Sequence, residues 1–323
     1  MKKINFKVIV FIALSFSIMA VNAQTKSVSI IQGSEILKCS YSMNKGRIDG
    51  NFVSYYENGK KRAEGKFENN YRIGKWSVWD TAGKLRMVRV YENPFVYKII
   101  TPQGMADTSS YKLERDENGL LKYFRLREKA IFWSQRIWRN IEKENNDALF
   151  DKDRLFKVIY ENLLNGDVKG YGTSDDEFKT QLSITDIQKI DTGKISIKKY
   201  KMKEDAFFDT DRNIFECGII GICPVAINKE TGKEEDLFWI YYPQLRKPLA
   251  KETLNKPAPS KIKTLDDVFF LRDFASTIYK ESNVWNKAIA DSWQYKEDQV
   301  KEAERIELSL IENEHDIWIG LTK

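Results

Sequence analysis

The sequence predicts an α+β protein, with antiparallel β-hairpin repeats toward the N-terminus followed by a mixed helix and antiparallel-sheet domain. Three observations carry this. A 24-residue repeat of aromatic strand, turn and return strand lies between 46 and 91. Apolar residues at helical spacing mark 130–163 and 264–318. Between these, from 195 to 241, the hydrophobic period drops to two.

Residues 1–23 read as a cleaved secretory signal. Lys2, Lys3 and Lys7 form a basic start, Val8 to Ala20 an apolar run, and Val21-Asn22-Ala23 a small-residue site before a cut at Gln24. The run is shorter than the roughly 20 residues of a spanning helix, and no later stretch reaches that length, so no spanning segment is expected. A lipid anchor would need a cysteine at the cut, but Gln24 stands there and the first cysteine is Cys39. An exported, unanchored chain follows. Without the three signal lysines the 53 basic residues become 50 against 47 acidic, a net of +3. That balance is no footprint of nucleic-acid binding, and the charges of both signs are interspersed as on a solvated surface.

After an N-terminal segment at 24–45 comes the repeat. "GNFVSYYENGKKR" from Gly50 and "GKWSVWDTAGKLR" from Gly74 pair Phe52 with Trp76, Tyr55 with Trp79, Gly59 with Gly83 and Arg62 with Arg86. Gly59 and Gly83 suit the positive φ of tight hairpin turns. The pattern at 46–91 resembles MORN-type repeats, also found in the YwqK family. It is read either as a docking surface for a partner or membrane, or as a structural β extension. Pro94, Pro102 and Gly104 mark 92–124 as an irregular linker.

The remaining domain, 125–323, opens with Ala130, Trp133, Ile137, Trp138 and Ile141, an apolar stripe that predicts a helix of about 15 residues. "DKDRLFKVIYENLLNG" predicts a second helix with Leu155, Val158, Ile159 and Leu163 on one side and Gly166 as its stop. Next, Asp175, Asp176 and Glu177 have no calcium-loop spacing and the neighbouring glycines no Walker lysine. Ser174 with Glu177 reads instead as a capping box that opens a helix. "KISIKKYKM", "NIFECGIIGICPVAI" and "DLFWIYY" read as strands, the last two forming a hairpin around "NKETGKEE". Cys217 and Cys223 on one strand would stand about 20 Å apart, beyond disulfide reach unless that strand folds back at Gly218 or Gly221. Both read as small buried hydrophobes, with no zinc-type spacing. "TLDDVFFLRDFASTIYKES", capped by Thr264, and "QVKEAERIELSLIENEHDIW", with Val300, Ala303, Ile306, Leu310 and Ile317 inward, predict two closing helices.

His315 is the only histidine. Its place near the end of the last helix suggests a bland partner for the helix dipole, and no Ser/His/Asp or Cys/His arrangement can be assembled away from it. No catalytic residue, cofactor or metal site is expected. The candidate interaction residues are Trp239 and Tyr241, because "FWIYYP" puts aromatics on both faces of a strand.

"FWSQRIWRNIE", "NGDVKGYGTSDDEF", "KEDAFFDTDRNIFECGIIGICPV", "FWIYYPQLRKPLA", "LDDVFFLRDFASTIYKESNV" and "ENEHDIW", in this order from about 125 to 318, resemble the GldN/PorN family of gliding-motility and type IX secretion proteins. The resemblance implies a non-enzymatic periplasmic component, peripheral to the outer membrane. It would form a homo-oligomeric ring with an outer-membrane lipoprotein of the GldK/PorK type and contact the periplasmic motor domain of a GldM/PorM-like subunit. The repeats at 46–91 are no part of that family pattern. The alternative is a secreted binding or immunity-type protein that holds a partner through them.

Overall fold

The computed structural model describes residues 24–110, 113–123, 125–256 and 260–320. The expected signal peptide lies outside these residues. Among them, no helix is long and apolar enough to cross a membrane.

The N-terminal side is one antiparallel meander of eight strands in sequence order, sheet 1. Its strands are β1 (Gln24–Gln32), β2 (Glu35–Asn44), β3 (Arg47–Tyr55), β4 (Lys61–Glu68), β5 (Tyr71–Trp79), β6 (Leu85–Asn93), β7 (Val96–Thr101) and β8 (Gly104–Ser110). Residues alternate along each strand, so Leu37, Cys39 and Tyr41 turn inward while Lys38 faces out. The 24-residue repeat appears as two matching hairpins. Tyr56 and Gly59 close one turn with the same backbone bonds that Asp80 and Gly83 close in the other. The copies also clasp each other, Tyr56 donating to the Trp79 carbonyl at 2.7 Å and Lys60 to that of Ala82 at 2.9 Å.

The sheet is wider than the repeat, since β1 and β2 precede it and β7 and β8 follow it. Much of the stretch read as irregular linker is therefore strand. Pro94 and Pro102 sit in the short turns on either side of β7, where proline punctuates a sheet without interrupting it.

The second half holds sheet 2, in the order β10-β14-β12-β11-β9-β15, with β13 paired to β12. Along the chain these elements are β9 (Ile131–Glu142), α1 (Asp147–Phe150), α2 (Arg154–Leu164), β10 (Gly170–Tyr171), α3 (Ile184–Gln188), β11 (Ile195–Asp209), β12 (Ile214–Asn228), β13 (Glu234–Asp236) and β14 (Trp239–Tyr241). There follow α4 (Tyr242–Lys251), α5 (Leu265–Phe270), β15 (Thr277–Glu281), α6 (Ile289–Ser292) and α7 (Lys296–Gly320). The hairpin around "NKETGKEE" is present, with Ile222 opposite Ile240. Helix α2 ends as expected, the Gly166 N–H returning to the Leu163 carbonyl.

Three expectations are corrected. The stripe at 130–141 is strand β9, not a helix. Its i+4 spacing is an even number, so Trp133, Ile137 and Ile141 share a strand face as readily as a helix face. The helix capped by Thr264 does form its capping box with Asp267, but it stops at Phe270, and the second half of that segment is β15. Ser174 and Glu177 open no helix; the capping box nearby belongs to Ser183 and Asp186 at the start of α3.

One face of sheet 2 is covered along part of its length by α1 to α5, around Ile141, Tyr200, Met202 and Ile222. Further along the same face, α7 covers it through Ala303, Ile306 and Leu310. The opposite side of α7 is covered by sheet 1, with Leu308 and Trp318 in that sheet's core. At 25 residues, about 37 Å by the helical rise, α7 is a helix enclosed between two sheets.

Candidate interaction surface

The two aromatics singled out in the sequence separate in the structure. Trp239 points to the outer face of sheet 2 but is only 4% exposed, packed with Trp138 and Cys223 and roofed by Tyr171 and Phe178. The roof is the loop 172–182, pinned by two residues of its acidic cluster, Asp176 and Glu177. Lys203 donates to Asp176 at 2.9 Å and to Glu177 at 2.7 Å, and the Trp138 indole donates to Asp176 at 2.5 Å. Burial acts to raise the Asp176 carboxyl, but Lys203 and Trp138 outweigh it and hold it below the usual carboxylate range. These acids serve a buried lysine. Tyr241 is 41% exposed beside Phe178, their rings 5.7 Å apart, so it presents an aromatic face to solvent while Trp239 supports it from within.

A larger exposed aromatic surface lies where sequence reasoning assigned none. Between β15 and α7, Val284 is 91% exposed, Trp285 78% and Tyr295 69%, with Trp293 also open. Asn283 shapes this loop, its side chain donating to the Glu281 and Lys287 carbonyls and accepting from the backbone of Trp285 and Lys287. Four large apolar side chains within twelve residues are held out to solvent, and exposed aromatics of this size are enriched at interfaces. The signal in the sequence was "SNVWNKAIADSWQY", a stretch whose aromatics fall between the two predicted closing helices and belong to neither.

His315 lies at neither surface. It is fully buried between α7 and sheet 1, its ring against Phe52, Trp76 and Trp318. The expected helix-end role is thereby corrected: the helix runs on to Gly320, and the ring meets side chains instead of the terminal carbonyls. Burial pushes its pKa down and prevails over Glu312, so the ring is neutral. Nε2 then accepts from Arg72 at 3.3 Å and the proton sits on Nδ1, 3.3 Å from Glu312.

Around it runs a seam of buried charge. Arg62 donates to Glu312 at 2.6 Å and to Asp316 at 2.7 Å, and Arg72 pairs with Glu314 at 2.5 Å. Burial acts to raise the Glu312 carboxyl, but His315 and Arg62 outweigh it and hold it at about 2. With His315 neutral, Arg62 is the permanent counter-charge. Arg89 lies over the Trp318 ring at 4.0 Å and donates to the Asn213 carbonyl at 2.7 Å, while Tyr97 donates to that of Arg212 at 2.6 Å. Sheet 1 is thus tied both to α7 and to the turn between β11 and β12.

The three cysteines are free. Burial raises the Cys217 thiol to about 12 and pushes those of Cys39 and Cys223 higher still.

Comparison with curated proteins found no match. Comparison with protein families matches residues 126–319 under the description gliding motility associated protein GldN. The match spans more than half of the chain, takes in all of sheet 2 and α7 up to Ile319, and leaves sheet 1 outside it. The chain therefore belongs to the GldN family of gliding-motility and type IX secretion proteins.

Proposed function

We propose that this chain is a non-enzymatic structural component of the gliding-motility and type IX secretion machinery, exported to the periplasmic side of the outer membrane. There it assembles with an outer-membrane lipoprotein of the GldK/PorK type into a homo-oligomeric ring and contacts the periplasmic domain of a GldM/PorM-like motor subunit. The observation that carries this reading is the family match over 126–319. It is supported by the use made of the single imidazole, which is fully buried and holds two layers together beyond reach of a substrate.

The surface assigned to assembly is the aromatic loop with Trp285, Trp293 and Tyr295, extended across sheet 2 by Tyr241. The MORN-like hairpins at 46–91 have a structural part in this reading. Their inner face is taken by α7, which leaves the polar outer face for any further contact.

The test is co-purification from the outer-membrane fraction with identification by mass spectrometry, comparing the unaltered chain with Trp285→Ser/Tyr295→Ser. Recovery of the lipoprotein and the motor subunit with the first, and their loss with the second, is the expected outcome. A chain that stays in the soluble fraction and brings down neither contradicts the proposal.

A further inference from the structure

Where α7 lies between the two sheets it fills only part of the space, because one helix is about 10 Å across while sheet 1 is eight strands wide. Beside it remains a partly open cleft of about 450 Å³. Val300, Ala303, Glu304, Glu307, Leu308, Ile311 and Glu314 of α7 form one wall. They follow the i, i+3, i+4 stripe of a single helix side from Val300 to Glu314, a rise of about 21 Å. Tyr41, Phe67 and Tyr71 of sheet 1 face them, with Phe215, Cys217 and Ile219 of β12 as the floor and Phe269 to Phe274 at one end. The cleft is long, narrow and mostly apolar, within the size range of ligand sites.

The charges on its walls are spent on one another. Lys26 pairs with Glu304, Arg72 with Glu314, Arg139 with Glu307 and Glu204, Arg272 with Glu204, and Glu216 with Arg212. The Tyr71 hydroxyl is bonded to the Leu271 carbonyl. A charged headgroup would find no unpaired counter-charge among these groups. An extended peptide would bring many backbone N–H and C=O groups into a space whose charged side chains are mostly paired with one another, and unpaired buried backbone is costly. A helix about 10 Å across, run along that wall, would fill far more than the 450 Å³ of the cleft. An unbranched hydrocarbon chain meets each constraint: it is long, narrow, uncharged and without hydrogen-bonding groups. Tyr123 and Val300 line the cleft and are themselves 47% and 43% exposed, which marks its mouth.

We propose that this cleft binds a single long acyl chain, with the headgroup left in solvent at Tyr123 and Val300. The chain could come from a free fatty acid or a membrane lipid, and the experiment separates the two. The full chain, delipidated, is titrated with cis-parinaric acid, a fluorescent long-chain fatty acid, and the bound probe is then challenged with palmitate, with palmitoyl-lysophosphatidylcholine, and with glycerophosphocholine as headgroup alone. Saturable one-to-one binding, displaced by palmitate and not by the headgroup, is expected. Displacement by the lysophospholipid as well identifies a membrane lipid as an acceptable source, and displacement by palmitate alone identifies a free fatty acid.

Cys217→Phe and Ile219→Trp, which place bulk on the cleft floor, should weaken probe binding at least tenfold. A second measurement needs no variant: palmitate should slow alkylation of Cys217 at least tenfold, read peptide by peptide, with Cys39 as the reference buried away from the cleft. The proposal is overturned if no saturable binding occurs, if binding is unchanged in the folded filling variants, or if Cys217 alkylates equally fast with and without palmitate. Should the variants not fold, the alkylation result decides alone.

Discussion

The two sides of α7 are built from different chemistry. Toward sheet 2 the helix presents Ala303, Ile306 and Leu310 in a mainly apolar contact, with one ion pair at its margin, Glu307 with Arg139. Toward sheet 1 it presents Glu312, Glu314, His315 and Trp318, all buried and engaged by Arg62, Arg72 and Arg89. An apolar contact is non-directional and tolerates small slides. Buried charges do not, because each is costly unless it meets its own partner. The contrast teaches how a sheet outside the family match is fixed in one register on a helix inside it. The "EHDIW" element of the family resemblance carries three of the helix residues at the seam that face sheet 1, namely Glu314, His315 and Trp318.

The sharpest way to break the contrast is Glu312→Ala. It leaves the Arg62 guanidinium, almost wholly buried, with the more exposed Asp316 as its counter-charge, and should cost about 3–5 kcal/mol. Leu310→Ala tests the other side, where the loss should follow cavity size at roughly 2–5 kcal/mol. Denaturant midpoints measure both, and Glu312→Ala alone should loosen sheet 1 selectively, seen as faster amide exchange in β4 and β5. His315→Gln should cost about 1–3 kcal/mol through unpaired buried donors and acceptors, more than a dipole role at the helix end would allow.

Acid should act on the charged side of α7 first. His315 is held below its ordinary 6.5, so the unfolded chain takes up a proton that the folded chain refuses. Its contribution is complete above about pH 6.5 and is lost as pH falls, by up to about 1.4 kcal/mol per pH unit until the folded pKa is reached. Glu312, held at about 2 against 4.5, adds a second loss that begins below about pH 4.5. Urea midpoints measured from pH 8 to pH 4 should show the upper limb in the unaltered chain and not in His315→Gln. The smallest stability effect belongs to the surface: Trp285→Ser and Tyr241→Ser should each stay within about 0.5 kcal/mol of the unaltered chain, read by thermal melts, while partner recovery falls.

Much of this architecture could be read from residues alone, where the signal was local. The matching turns at Gly59 and Gly83, the stop of α2 at Gly166, the Thr264 cap and the hairpin around residue 230 depend on neighbours in the chain. What could not be read depended on distant partners. Trp133, Ile137 and Ile141 satisfy two periods at once, and only pairing with β11 makes them a strand. Helix α5 ends at Phe270 without glycine or proline, and Arg272 takes a positive φ of 48° that its sequence does not advertise. Nothing near His315 announces that Arg72 and Phe52, more than 240 positions away, would enclose it. Trp239 and Tyr241 alternate with Ile240 along the strand, and it is the loop carrying Phe178 that decides which of them meets solvent.

The claim at the centre is that a directional buried ion pair locks sheet 1 onto the family domain, and a double-mutant cycle on Arg62 and Glu312 tests it most directly. Arg62→Met, Glu312→Leu and the double variant are compared by urea denaturation at pH 7. Each single change should be strongly destabilising, and the double variant should recover much of the loss, with a coupling energy of about 2–3 kcal/mol. Additive single losses, with no recovery in the double variant, would contradict the account and leave the other contacts across the seam to hold the two halves together.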